Sequence, residues 1–238
     1  MSDDPQSAEY RGQPPEGARG LAPERPSAAA AERPSHVAPA SRAAGLFGGS
    51  FDPPHLAHLA LAHTALEELA LDRLVWMPAA RSPHKSGQAP ASAADRVEML
   101  RLLTAGEPRF AIDERELHRP GPSYTVDTLR ALHAEDPAAD WWLVIGQDQY
   151  ARFDTWHDWR GILALAGLAV AARDGQGVTP APGLAGCPHR LRVLAMPAMP
   201  HSATEARERS AAGRDVAALV GAPVARYIAH HHLYRTGA

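Results

Sequence analysis

From Ala43 onward the chain alternates short apolar runs with longer stretches whose apolar residues recur every three to four positions. That alternation is expected of strands buried in a parallel sheet and of the helices that cover it. The runs predict strands at Ala43–Phe47, Leu74–Met77, Phe110–Ile112, Trp141–Ile145, Leu168–Ala172 and Leu191–Leu194. The periodic stretches predict helices at His55–Ala70, Ala93–Thr104, Thr125–Ala134, Trp159–Ala166, Ala203–Ala212 and Pro223–His231. The expected fold is therefore α/β, a doubly wound and mostly parallel sheet. Gly175–His189, rich in Gly and Pro, reads as a loop between the last two strands, and Arg81–Ala91 as a second mobile loop.

The pattern is absent before Ala43. Between Met1 and Arg42 the large apolar residues are Met1, Tyr10, Leu21 and Val37, set among prolines, alanines and balanced charges. Such a segment cannot offset its ordering entropy by burial. Residues 1–42 are expected to be a disordered Pro/Ala-rich extension, or translation from a start codon upstream of the true one. Residues 43–238 are then one domain.

Composition narrows the function classes. The chain has 238 residues, 45% of them hydrophobic and 21% charged, enough for one sizeable core. A formal net charge of -3 argues against a nucleic-acid binder, which usually presents a basic face, so any anion must be gripped locally. Cys187 is the one cysteine, which excludes an intrachain disulfide and a cysteine-built zinc site and fits a reducing cytoplasm. No apolar run approaches the roughly 20 residues of a membrane span, and the opening MSDDPQSAEY lacks a secretory pattern. No nucleic-acid or membrane partner is expected.

Candidate chemistry is densest where the first strand meets the first helix, in the segment GGSFDPPHLAHLALAH from Gly48 to His63. A doubly wound sheet binds nucleotides at such a junction. Gly48 and Gly49 clear side chains where backbone must approach a ligand, Asp52 suits the N-cap, and Pro53 or Pro54 suits the first turn. His55 and His58 then lie three apart near the positive end of the helix, where both imidazoles can meet one anion. No GxxxxGK[ST] follows the strand, and Gly45, Gly48 and Gly49 do not spell GxGxxG. A kinase or dehydrogenase is disfavoured.

This segment resembles the G-x-F-D-P-x-H-x-G-H signature of the nucleotidyltransferase superfamily, with Ala57 standing where that pattern has glycine. Three further segments resemble the bacterial nicotinate-nucleotide adenylyltransferases. DERELHRPGPSYTVDT, Asp113–Thr128, matches the segment ending in S-Y-T that opens a helix. IGQDQYARFDTWHDW, from Ile145, matches a G-x-D segment followed by a T-W pair, although Trp156 and Trp159 read on their own as core aromatics. HSATEARERS, from His201, matches I-S-x-T-x-x-R, with His201 in place of isoleucine; Ser202 and Glu205 also form a local capping box. Pro83–Lys85 matches a P-H-[KR] element, and the run His230–His232 reads as a solvated helix end.

The resemblance covers about Ala43 to Arg235 and implies a Rossmann-like nucleotidyltransferase fold. It implies transfer of the AMP moiety of ATP to nicotinate mononucleotide, forming nicotinate adenine dinucleotide and pyrophosphate. His55 and His58 would be catalytic, with Gly48, Gly49, Ser50, Phe51, Asp148, Ser202, Thr204 and Arg207 on ATP and its phosphates. Tyr124, Thr125, Trp156, His157 and Lys85 would bind nicotinate mononucleotide. Mg²⁺ is expected as cofactor, held through ATP phosphates and with no metal site of the protein's own. A monomer or small homo-oligomer is expected. Pantetheine-phosphate adenylyltransferase, a non-catalytic nucleotide sensor and a Rossmann oxidoreductase are the competing readings.

Overall fold

In a computed structural model of the chain, residues 42–80, 91–173, 177–197 and 199–235 are described. Residues 1–41 of the expected extension and the Arg81–Pro90 stretch, Lys85 included, lie outside them, while Arg42, placed in the extension by the sequence, opens the first strand. Six strands, β1 (Arg42–Gly49), β2 (Arg73–Pro78), β3 (Phe110–Ile112), β4 (Ala139–Gly146), β5 (Gly167–Arg173) and β6 (Leu191–Met196), form one sheet in the order β3-β2-β1-β4-β5-β6. Every pairing is parallel. Chain direction reverses its march across the sheet between β1 and β4, the crevice where such sheets place ligands.

The helices are α1 (Leu56–Glu68), α2 (Ala93–Thr104), α3 (Arg115–His118), α4 (Thr125–Glu135), α5 (Gln147–Tyr150), α6 (Trp159–Leu165), α7 (Ala203–Ala211), α8 (Ala217–Val220) and α9 (Ala222–His230). All the sequence-predicted elements are present. The single-turn helices α3, α5 and α8 were not expected, because four residues are too few to display a 3.6-residue period.

Both faces of the central strands are buried, as the apolar runs require, whereas Leu191 and Val193 of the edge strand β6 are exposed. Ala44, Leu46, Trp141, Leu143, Ile145, Leu168 and Val170 pack with Val126 and Leu129 of α4 and Ile162 of α6. Phe47, Val144, Ala169 and Leu194 pack on the opposite face with Leu61, Ala62, Ala65 and Leu66 of α1 and Leu100 of α2. A smaller cluster joins Met99 of α2 to Ala206 of α7, Leu219 of α8 and Val224 and Ile228 of α9.

Two expectations are corrected. Asp52 does not cap α1: the N-cap is His55, in extended conformation, and the helix begins at Leu56. The Asp52 carboxylate instead accepts from the Tyr234 hydroxyl at 2.7 Å, a partner 182 residues away that no local rule could supply. Nor is 177–189 a loose loop. Gln147 bonds both the N–H and the carbonyl of Thr179, Ala181 N–H donates to Tyr150 O, and Ala181 and Leu184 are buried.

Candidate active site

Every sequence-predicted site residue within the described ranges borders one cavity of about 820 Å³, at the crevice between β1 and β4. Contacts gather most of them into two clusters, with Asp148 apart at the start of α5. The first joins the loop after β1, the start of α1 and the start of α7. The second joins the start of α4 to the segment after α5.

In the first cluster, His58 Nδ1 accepts the His55 N–H at 3.2 Å, satisfying a donor that the helix start leaves without an intrahelical acceptor. An Nδ1 that accepts is unprotonated, so the neutral ring carries its proton on Nε2 and that edge can only donate. The two imidazoles are stacked, with centroids 3.5 Å apart and planes 22° apart. His55 is 7% exposed, its Nδ1 has no hydrogen-bond partner among the described residues, and burial, followed by the charge of His201, pushes its pKa down to about 4. Burial disfavours the charged form of the ring, so His55 is neutral near pH 7 in the free protein.

The glycines divide their work. A Cβ on Gly48 would meet nothing within 4 Å, whereas one on Gly49 would lie 2.9 Å from the ring of Phe51. Gly48 thus keeps the space open that a ligand can enter, and Gly49 is required by packing. Phe51 has a left-handed φ of 47° and its side chain is 2% exposed, against Phe47, Trp76 and the edge of His58. The ring expected on the ATP side is therefore a wedge that sets the loop's shape.

Ser202 caps α7 by accepting from Glu205 N–H at 3.1 Å. The reciprocal half of the expected capping box is replaced, because the Glu205 carboxylate pairs with Arg209 at 2.6 Å. Arg207 donates to the Asp52 carbonyl at 2.7 Å and to Thr204 Oγ1 at 3.3 Å, which ties α7 to the loop after β1. No carboxylate is bonded to its guanidinium among the described residues, so its charge is available to an anion. Asp148, at the start of α5, is exposed and accepts from Gln149 at 3.0 Å; a Cβ on Gly146 would stand 2.7 Å from its Oδ1.

In the second cluster, Tyr124 caps α4 with Thr125 as its first residue, and the His157 ring lies over Tyr124 at 4.2 Å. Trp156 is half-buried beside Phe153 at 5.2 Å and borders the cavity, while Trp159 belongs to the core. Glu116 also borders the cavity, with Ser123. It is 8% exposed, burial pushes its carboxyl up, and the Thr128 hydroxyl at 2.6 Å opposes that shift.

The cytidylyltransferase-like family profile matches residues 46–209. Two relatives bear the name "Probable nicotinate-nucleotide adenylyltransferase". That of Methylibium petroleiphilum is 46% identical over 83% of this chain and 94% of its own, and that of Albidiferax ferrireducens 48% identical over 81% and 98%. The chain belongs to the nicotinate-nucleotide adenylyltransferase family. Among solved structures, Plasmodium falciparum nicotinic acid mononucleotide adenylyltransferase complexed with NaAD shares the fold, with TM-score 0.68 and 16% identity over 81% of this chain and 97% of its own.

For a nicotinate-nucleotide adenylyltransferase the two departures from pattern are mild. Ala57 borders the cavity, where its methyl is the smallest addition to glycine. His201 Nε2 meets the Ala218 carbonyl at 3.1 Å, so this ring tethers the start of α7 to α8. Sequence reasoning missed Glu116 and Arg96. Arg96 sits on the buried stripe of α2 with Met99 and Leu100, 2% exposed, and donates to the carbonyls of Ser50 (2.7 Å) and Ala79 (2.9 Å). An arginine at an apolar position of a helix was the signal available.

The depressed pKa of His55 gives a testable stability term. The folded state binds fewer protons than the unfolded state, whose histidine titrates near 6.5, between pH 6.5 and about 4. Stability is therefore lost as pH falls through that window, by up to about 3 kcal/mol at 1.36 kcal/mol per unit. Melting curves from pH 7 to pH 4.5 should fall more steeply for the native chain than for His55→Gln. Parallel slopes would show that His55 is not buried in its neutral form.

Proposed function

We propose that the chain joins ATP to nicotinate mononucleotide, forming nicotinate adenine dinucleotide and pyrophosphate as a step of NAD biosynthesis. The observation that carries this reading is one cavity serving two chemistries. Stacked imidazoles, helix starts and an uncommitted guanidinium line it on one side, and aromatic rings beside a helix start on the other.

A phosphate oxygen of nicotinate mononucleotide attacks the α-phosphorus of ATP, the bond to the α,β-bridging oxygen breaks, and pyrophosphate leaves with that oxygen. No protein nucleophile is needed, so the side chains act by aligning two polyanions and stabilising the charge that moves onto the leaving group. His58 presents an Nε2–H donor to the α-phosphate. His55, neutral when the site is empty, gains a proton or donates a hydrogen bond once phosphate charge replaces water. Ser202, Thr204 and Arg207 hold the departing pyrophosphate, and Arg207 keeps unused N–H groups for its oxygens. Trp156 and Tyr124 present flat faces to the pyridine ring.

Mg²⁺ would neutralise triphosphate charge and polarise the leaving group. Among the described residues no group of three or more potential ligands comes together, and of the acids bordering the cavity Asp52 already accepts from Tyr234. That donor set suits an ion carried mainly by substrate phosphates and waters, with Asp148 as the exposed carboxylate able to bond one of those waters. With Cys187 as its one cysteine, the chain suits the reducing cytoplasm.

The test is a pyrophosphate-release assay with ATP and Mg²⁺ against a panel of acceptors. Release should require nicotinate mononucleotide and give the dinucleotide, and phosphopantetheine should support only background. Excess chelator should lower the rate at least tenfold, with recovery on adding Mg²⁺. Turnover with phosphopantetheine alone would overturn the assignment, and a rate indifferent to chelator would remove the metal from it.

A further inference from the structure

The loop from Ser50 to His55 borders the cavity with Ser50, Phe51, Asp52 and His55, and is held from three directions. Arg96 of α2 takes the Ser50 carbonyl, Arg207 of α7 takes the Asp52 carbonyl, and Tyr234, beyond α9, donates its hydroxyl to Asp52 Oδ1 at 2.7 Å. In a trans peptide plane N–H and C=O point opposite ways, so drawing the Ser50 carbonyl onto Arg96 turns the Phe51 N–H away from α2. The Phe51 N–H is thus aimed by Arg96, a group outside the cavity.

We infer that Tyr234 is a positioning residue for the ATP site, its hydroxyl acting through the Asp52 carboxylate to hold the loop between β1 and α1 in its ligand-binding shape. Tyr234 itself does not border the cavity. Asp52 is 5% exposed, and a buried carboxylate needs donors. The Tyr234 hydroxyl supplies one, and Arg96 supplies the nearby charge. Burial and the Asp52 charge push the phenol well above its ordinary value, so it remains a donor at every working pH.

The segment carrying Tyr234 is built to deliver that hydroxyl. Leu233 N–H returns to the Ile228 carbonyl at 3.0 Å, and the Leu233 carbonyl accepts from Ser210 of α7 at 2.9 Å. Tyr234 holds a φ of 64°, a left-handed conformation that a bulky residue keeps only where surrounding contacts dictate it. One segment therefore grips both α7 and the loop after β1, the two elements of the first cluster.

The inference rests on the proposed function only for the identity of the ligand, and its test reads binding rather than turnover. A non-hydrolysable α,β-methylene analogue of ATP, titrated calorimetrically with Mg²⁺, should bind Tyr234→Phe about tenfold more weakly than the native chain, or about 1.4 kcal/mol. Affinity for nicotinate mononucleotide should change less than twofold, with the melting temperature within about 3 °C. In an Asp52→Ala background the same substitution should cost less than a further twofold, because the hydroxyl would have nothing left to act through. Unchanged analogue affinity, an equal loss for both ligands, or fully additive losses in the double variant would each overturn the positioning role. A native chain that fails to turn over nicotinate mononucleotide, while Tyr234→Phe still weakens the analogue, would defeat the proposed reaction and leave this role standing.

Discussion

Replacing His58 with asparagine is expected to lower turnover at least a hundredfold while leaving the fold in place. The substitution separates two tasks of one ring. His58 Nδ1 accepts the His55 N–H at 3.2 Å, and the amide oxygen of asparagine at the same position can accept it too. The Nε2–H, the only donor of the neutral ring, has no counterpart at that reach. Removing one preorganised donor to developing charge costs about 2.7–4 kcal/mol in comparable sites, which is two to three powers of ten in rate. His58→Ala should lose the same catalytic term and also the acceptor at the start of α1, at about 1 kcal/mol of stability. Pyrophosphate-release rates measured beside melting temperatures separate the two. An asparagine variant within threefold of native turnover would reduce His58 to a structural cap.

The central strands were legible because a strand buried on both faces is written as an apolar run, and the edge strand β6 kept such a run although Leu191 and Val193 are exposed. The runs stop short where pairing continues without apolar side chains: β1 extends through Gly48 and Gly49, opposite Met77 and Pro78 of β2. Long helices were legible from their period, and the candidate residues read from motifs at their starts border one cavity. What escaped was long-range. Asp52 satisfies the local preference for an N-cap, yet Tyr234, 182 residues on, takes its carboxylate and His55 takes its place. Gly49 sits in a motif whose glycines suggest ligand approach, yet its missing Cβ makes room for Phe51. Local rules describe what a residue can do, and the tertiary partner decides which capacity is used. Arg96 is the same lesson in reverse: its charge disguised a buried position whose purpose is to aim backbone carbonyls.

Nicotinate mononucleotide should be preferred over nicotinamide mononucleotide by at least about a hundredfold in kcat/KM. The two acceptors differ at one substituent, a carboxylate that only accepts hydrogen bonds or an amide that also donates. The backbone at the start of α4 offers donors: Tyr124 is the N-cap, its carbonyl is bonded by Asp127 and Thr128, and the N–H groups of Thr125 and Val126 have no intrahelical acceptor. The helix dipole adds a small bias of about 0.3–1 kcal/mol toward an anion there. Donors fixed in the backbone cannot turn aside. An amide NH₂ facing them would leave groups unsatisfied in a partly desolvated pocket, at about 1–3 kcal/mol each, and two such groups reach the hundredfold mark at 1.36 kcal/mol per factor of ten. His157 is the side chain placed to soften this, because its ring lies 4.2 Å from that of Tyr124 and a neutral imidazole nitrogen can accept from an amide. Replacing His157 with phenylalanine should therefore keep or widen the preference. The measurement is kcat/KM for each mononucleotide at saturating ATP and Mg²⁺, in the native chain and in His157→Phe. Equal values for the two acceptors in the native chain would mean that the start of α4 does not read the pyridine substituent.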